Sequence, residues 1–160
     1  MRIGRFIPLL LLFSFCLNTS TNLLLAQQKN GPYDSLAAGI LRLINEHRTE
    51  MALKPLVMNK AISNVAAGHS RNMATEKVPF GHKGFDDRMD LLAEKLKPTS
   101  SFAENVAYGA TTADEAYDLW INSPGHRQNI EGDFNLTGIG IVKSKSGDLY
   151  YTQIFVKKGN

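Results

Sequence analysis

The sequence predicts one α+β domain in which the helices come before the strands. From about residue 34 to residue 130, apolar side chains recur mainly at helical spacing, and after Gly132 two runs of β-branched and aromatic residues follow. Strands collected after helices favour an α+β fold over a doubly wound parallel sheet. A predicted leader leaves 134 residues, which is enough chain to bury a single core.

Residues 1–26 resemble a secretory signal peptide and do not belong to the domain. A basic start precedes an apolar stretch at residues 6–17, and Ala26 is the expected cleavage residue. The apolar stretch is shorter than the ~20 residues that a membrane-spanning helix needs. We therefore expect a secreted or otherwise extracytoplasmic protein, with residues 27–35 as a lead-in and residues 36–157 as the domain.

Removal of this leader changes the charge and the cysteine content of the chain. The full sequence has 18 basic and 15 acidic residues, and the loss of Arg2 and Arg5 leaves 16 basic residues against 15 acidic ones. This near-neutral balance gives no argument for a nucleic-acid partner. The one cysteine, Cys16, also lies in the leader, so we expect a mature domain without disulfides. We expect this domain to be a monomer without a transmembrane helix.

Two amphipathic helices are predicted at the start of the domain. The first runs from Asp34 to about Thr49 and places Arg48 on its solvent side. After a connector at residues 54–58, Asn59 is the expected N-cap of the second helix. His69 lies within the apolar stripe of that helix, where we expect a core histidine rather than a ligand. The inward residues are Leu36, Ile40, Leu43, Ile44 and His47 in the first helix, and Ile62, Val65, Ala66, His69 and Met73 in the second.

A loop and a third helix follow. His82 lies in the glycine-containing loop at residues 79–85, and binding residues are over-represented in loops. Asp86 or Asp87 is the expected cap of the third helix, which ends near Leu96. The sequence thus places His82 on a loop between two helices.

The next segment, residues 101–109, places Glu104 and Asn105 between apolar anchors. A fourth helix is predicted from Thr111 or Thr112, because a threonine followed three residues later by glutamate is typical of a capping box. Its inward residues are predicted to be Ala116, Leu119 and Trp120.

Residues 120–130 combine a helix start with clustered polar side chains. Ser123 is the expected N-cap, with its hydroxyl accepting from a backbone N–H, and Pro124 suits the first helical position. His126 then lies in the first turn, where the positive end of the helix dipole disfavours its protonation. The segment is either a turn between two helices or part of a polar site.

The last part of the chain predicts an antiparallel hairpin. Its strands are residues 137–142 and 149–156, which are joined by a polar turn. Gly138 and Gly140 stand at alternate positions of the first strand and leave one face bare of side chains. Another segment can therefore approach that face closely.

Five segments in a fixed order carry a family resemblance: Leu-Ile-Asn-Glu-His-Arg at 43–48, Phe-Gly-His at 80–82, Ala-Glu-Asn-Val-Ala-Tyr-Gly at 103–109, residues 120–130, and Tyr-Thr-Gln-Ile-Phe at 151–155. Together they resemble a bacterial secreted member of the CAP superfamily, which includes cysteine-rich secretory proteins, antigen 5 and pathogenesis-related proteins. The resemblance implies an α-β-α sandwich, in which helices flank a small, mainly antiparallel sheet.

The same resemblance implies a central cleft with two histidines and two acids that can bind a divalent metal. His82 matches the first histidine and Glu104 the first acid. The position of the second acid holds Ser123, and residues 149–151 stand where the last histidine would fall. By this resemblance we expect His126 to supply the missing nitrogen.

The metal set implied in this way is His82, Glu104 and His126. Two imidazoles and one carboxylate suffice in principle for zinc or another divalent cation with an open position for water, and such water can act in hydrolysis. No local spacing fixes these residues as ligands, and the chain has no His-Glu-x-x-His motif. The structural alternative is that Glu104 satisfies the exposed N–H groups of the helix that carries His126.

Three classes of function remain open at this point. We favour an exported binding module whose cleft contains His82, Glu104, Asn105, Ser123 and His126. The resemblance implies a lipid, a sterol-like molecule, a cell-wall fragment or a peptide as its ligand. The alternatives are a divalent-metal-dependent hydrolase that uses the same cleft, and a non-catalytic envelope protein whose polar cluster only stabilises the fold.

Overall fold

The computed structural model describes residues 31–159. The predicted signal peptide at residues 1–26 and the first residues of the lead-in lie outside the described residues. Within residues 31–159, no helix combines the length and the apolar character needed to cross a membrane.

The described residues form five helices and four strands, which confirms the α+β class. Their bounds are α1 Asp34–Glu50, β1 Val57–Met58, α2 Lys60–Ala74, α3 Phe85–Leu96, β2 Thr99–Tyr108, α4 Ala113–Ile121, α5 Pro124–Ile130, β3 Leu136–Lys143 and β4 Leu149–Lys158. The short strand β1 lies in the segment predicted as a connector, and β2 lies between α3 and α4. The expectation that all strands follow the helices was therefore wrong in detail.

The four strands form one sheet in the order β1-β3-β4-β2. The β3–β4 and β4–β2 pairs are antiparallel and the short β1 pairs with β3 in parallel, so the sheet is mainly antiparallel as expected. Strand β2 is therefore an edge strand. It carries two of the predicted site residues, Glu104 and Asn105.

Helices cover both faces of this sheet, which confirms the α-β-α sandwich. Helices α2 and α3 cover one face through a core that includes Ile62, Ala66, Met89, Leu92, Ile154 and Val156. Helices α1, α4 and α5 cover the other face through Ile40, Ile44, Trp120, Ile130, Tyr151 and Phe155. Since neighbouring residues of a strand point to opposite faces, each strand contributes to both cores.

Helix α2 packs on the face of β3 that was predicted to lack side chains. A Cβ added to Gly138 would overlap the backbone nitrogen of Ser63, and one added to Gly140 would overlap that of Ala67. Asn59 caps α2 as predicted, because its Oδ1 accepts from the backbone N–H groups of Ala61 and Ile62. The helix therefore lies directly on the strand backbone.

Three local predictions were wrong. Arg48 is buried rather than solvent-facing, because its guanidinium donates to carbonyl groups of the connector and of residues 130–134. Leu119 is exposed, since α4 turns Ala116 and Trp120 to the core instead. Helix α3 starts after Gly84, whose left-handed backbone (φ 76°) reverses the chain, so Asp86 and Asp87 lie in its first turn and do not cap it.

Candidate functional site

A buried carboxylate on the edge strand β2 is the centre of the candidate site. The Glu104 side chain is only 1% exposed, and the Arg88 guanidinium of α3 binds it at both oxygens. Arg88 Nε donates to Oε2 at 2.8 Å, and Arg88 Nη2 donates to Oε1 at 2.7 Å. A two-point ion pair of this kind fixes the orientation of both side chains.

Arg88 also fixes the loop that carries His82. Its Nη1 donates to the backbone carbonyl of Lys83 at 2.9 Å. The short α3 begins beside this loop, so Arg88 in its first turns reaches both the loop and the strand. One guanidinium thus ties residues 79–84 to β2.

His82 and Glu104, which the family resemblance assigned to one cleft, are in contact. Nδ1 of His82 lies 3.0 Å from Oε1 of Glu104, and the His82 side chain is 50% exposed. Because a carboxylate only accepts, Nδ1 carries the proton and donates. In the neutral ring Nε2 is then an acceptor on the opposite edge of the imidazole.

His69 of α2 lies behind this pair. Its Nε2 donates to the carbonyl of Gly81 at 2.7 Å and lies 3.9 Å from Oε1 of Glu104. His69 is buried, as expected for a core histidine, and burial is the largest cause that lowers its pKa. It supports the His82 loop from the inside, a role that the sequence did not indicate.

Asn105 follows Glu104 in sequence but points to the opposite face of β2. It is fully buried, donates from Nδ2 to the carbonyl of His126 at 3.1 Å, and accepts from Asn129 at 2.8 Å. Asn129 also donates to the backbone carbonyl of Glu104 at 3.3 Å. Asn105 therefore attaches α5 to the sheet edge and does not line the cleft with Glu104.

His126 lies in the first turn of α5. Its Nδ1 is buried and has no hydrogen-bond partner among the residues that the structure describes. Burial is the main cause that lowers the pKa of His126, and the charge of His82 lowers it further. The predicted preference for the neutral imidazole thus agrees in direction, with desolvation as the largest cause.

Ser123 precedes α5 in an extended conformation, and Pro124 begins the helix as predicted. The Ser123 hydroxyl makes no capping hydrogen bond, however, which corrects the expected N-cap interaction. Ser123 instead lines a surface groove of about 640 Å³ together with Tyr108 of β2 and Leu119 of α4. Glu104 does not line this groove.

The residues at this site offer a divalent metal a poor fit. Both oxygens of Glu104 already bind the Arg88 guanidinium, and a metal ion would have to displace that cation. The structural alternative, in which Glu104 accepts from the N–H groups at the start of α5, is also wrong, because its side chain contacts Arg88 and His82 instead. Within residues 31–159, no group of three or more histidine, cysteine, aspartate or glutamate side chains comes together to hold a metal ion.

Phe80 of the His82 loop packs against two tyrosines, and we call these three side chains the aromatic patch: Phe80, Tyr108 and Tyr150. The Phe80 ring centroid lies 5.1 Å from that of Tyr108 and 6.4 Å from that of Tyr150, and the two tyrosines stack at 5.7 Å. Tyr108 is 55% exposed and Phe80 is 49% exposed. Tyr151, by contrast, is a core residue whose hydroxyl donates to the Ala110 carbonyl.

Two histidines with lowered pKa values, the buried His69 and the half-buried His126, predict a pH-dependent stability. Burial lowers the pKa of His69 and of His126 below the usual value of 6.5. The unfolded chain therefore binds more protons than the folded one as the pH falls below about 6.5, and the free energy of unfolding decreases there. Urea unfolding of the wild type should show this loss between about pH 7 and about pH 5. His126→Gln should lose less stability over the same interval, and an equal loss would contradict this assignment.

The chain matches known proteins in both sequence and structure. Residues 41–155 match the profile of the cysteine-rich secretory protein family, CAP. The Bacillus subtilis protein YkwD is 32% identical over 121 residues, which are 74% of this chain and 46% of that protein. An extracellular SCP-domain protein from Bacillus anthracis has a TM-score of 0.67 at 28% identity, over 78% of this chain and 41% of the other.

An outer surface protein from Borrelia burgdorferi has a TM-score of 0.70 at 19% identity, over 79% of this chain and 96% of the other. At this identity the likeness shows a shared fold alone. The chain spans less than half the length of the two Bacillus proteins.

Proposed function

The chain belongs to the CAP family of cysteine-rich secretory proteins, and from this premise we propose that it is an extracytoplasmic binding module with its ligand site at His82. The signal peptide predicted at residues 1–26 supports the export of the protein. So does the extracellular relative from Bacillus anthracis.

The observation that carries this proposal is the fixed orientation of a half-exposed histidine. Glu104 holds Nδ1 of His82, and Arg88 holds both Glu104 and the loop of His82. The opposite nitrogen, Nε2, can then meet a ligand without first losing rotamer freedom. Preorganisation of this kind lowers the cost of binding.

We infer that the site acts through hydrogen bonds to a ligand and not through water activated by a metal ion. The guanidinium of Arg88 neutralises Glu104, and no other carboxylate contacts this pair among the described residues. A ligand that approaches His82 meets an acceptor nitrogen beside an aromatic surface. A site with one fixed polar group and apolar neighbours is typical of small-ligand recognition.

Melting curves with defined probes test this function. Soluble peptidoglycan fragments, palmitate and phosphatidylglycerol vesicles are added in turn, because a ligand of the native state raises the melting temperature. At least one probe should raise it in the wild type, and His82→Phe should abolish the rise. Arg42→Gln, on the exposed face of α1, is the matched control and should respond like the wild type. If no probe shifts the wild type, or if His82→Phe responds equally, the binding function is wrong.

A further inference from the structure

We propose that the aromatic patch and the groove beside it bind an uncharged glycan chain. This inference rests on the proposed function, since Phe80 and His82 belong to one loop and the patch borders the same site. It names the class of ligand that the site takes.

The aromatic patch is largely exposed. Tyr108 and Phe80 leave about half of their surface in solvent, although each packs against another ring. The rings of Tyr108 and Tyr150 lie 23° from parallel and stack on each other, and Tyr108 is 55% exposed despite this stacking. Contiguous apolar surface of this kind on a small domain indicates an interaction site.

The rings are also held in place. Tyr108 and Tyr150 are direct partners in the β2–β4 register, and the loop of Phe80 is fixed through Arg88 and Lys83. A flat aromatic face that is already immobile loses little entropy when a ligand stacks on it. The faces of pyranose rings that carry C–H bonds are suited to such stacking.

The groove that adjoins the patch has polar and acidic walls. Tyr108 belongs to both surfaces, and the groove of about 640 Å³ continues from it along α4. Its polar lining residues are Glu115, Asp118, Asn122 and Ser123, and no lysine or arginine lines it. Carboxylates, an amide and a hydroxyl match the hydroxyl groups of a sugar.

The charge of this groove decides against anionic ligands. Two carboxylates without a basic neighbour in the lining repel phosphate groups, so an anionic lipid headgroup or a nucleic acid is disfavoured. A sugar hydroxyl is uncharged and can donate a hydrogen bond to a carboxylate without this electrostatic repulsion. Stacking faces next to acceptors therefore favour a neutral polyhydroxylated chain.

Calorimetric titration with three uncharged tetrasaccharides tests the inference: chitotetraose, cellotetraose and maltotetraose. At least one should bind the wild type with a Kd of ~1 mM or tighter. Tyr108→Ala should weaken this binding by about tenfold or more, as expected for an aromatic side chain that the ligand covers. Tyr108→Phe keeps the ring and should stay within about threefold of the wild type.

The control variant is Leu91→Ala, which removes an exposed apolar side chain on α3 that belongs neither to the patch nor to the lining of the groove. It should bind like the wild type. The glycan inference is overturned if no tetrasaccharide binds or if Tyr108→Ala binds normally. It is also overturned if a tetralysine peptide binds in their place and Asp118→Asn abolishes that binding, because the groove then takes a cationic peptide.

The melting curves distinguish failure of the glycan inference from failure of the proposed binding function. If palmitate, vesicles or peptidoglycan fragments stabilise the wild type but not His82→Phe while the tetrasaccharides fail, only the glycan inference falls. If no probe of either kind binds, both fall.

Discussion

Gly140→Ala is expected to destabilise the domain by about 3 kcal/mol or more, because overpacking against a rigid neighbour is costly. The added Cβ would overlap the backbone of Ala66 and Ala67 in α2, and a helix backbone cannot yield as a flexible side chain can. Helix α2 would have to move away from β3, which opens the core beneath it. Urea unfolding of the purified variant measures the loss.

Gly68→Ala is the matched control for this prediction. Gly68 lies in α2 itself, and a Cβ there meets no atom within 4 Å. Because alanine is the better helix former, this variant should gain up to about 1 kcal/mol. If Gly140→Ala were as stable as Gly68→Ala, the close packing of α2 on β3 would be wrong.

Arg88→Met is expected to lower the free energy of unfolding by about 3–5 kcal/mol, the usual cost of removing one partner of a buried ion pair. Glu104 would keep a carboxylate that is 1% exposed and has lost its cation. The His82 loop would also lose the bond from Arg88 to Lys83. Arg42→Met, which breaks an exposed pair with Glu46 on α1, should cost below about 1 kcal/mol.

A double variant separates the charge from the packing. Arg88→Met with Glu104→Gln removes the buried charge as well as its partner, so it should recover part of the lost stability. Equal losses in Arg88→Met and Arg42→Met would contradict the assignment of the Arg88–Glu104 pair as the centre of the site.

Helical periodicity and glycine spacing were sufficient to predict most of the fold. Apolar spacing located the helices, Asn59 was recognised as a cap, and Gly138 with Gly140 marked the close approach of α2. Strand β1 was missed because two residues carry no pattern of their own and depend on pairing with β3. The sequence pattern placed Arg48 in solvent because it counts arginine as polar. It does not show that backbone carbonyl groups accept from the guanidinium and so make its burial possible.

The candidate site was predictable only in part. The family resemblance assigned His82 and Glu104 to one cleft, but nothing in the sequence singled out Arg88. Only the packing of α3 on β2 reveals that it meets Glu104. The alternation of Phe102, Glu104, Val106 and Tyr108 could have predicted β2.

That alternation would also have separated Asn105 from the cleft, because adjacent strand residues face opposite sides. The aromatic patch could not be predicted from the sequence, because Tyr108 and Tyr150 meet only through the β2–β4 register. Sequence spacing alone does not fix that register.

The central claim is that Arg88, rather than a metal ion, neutralises Glu104 and thereby holds His82 ready for a ligand. Calorimetric titration of the wild-type protein with zinc tests it most directly. The account predicts no saturable binding at micromolar zinc, because the guanidinium already occupies both carboxylate oxygens. Uptake of one zinc ion per chain at micromolar concentration, lost in both His82→Ala and His126→Ala, would contradict it.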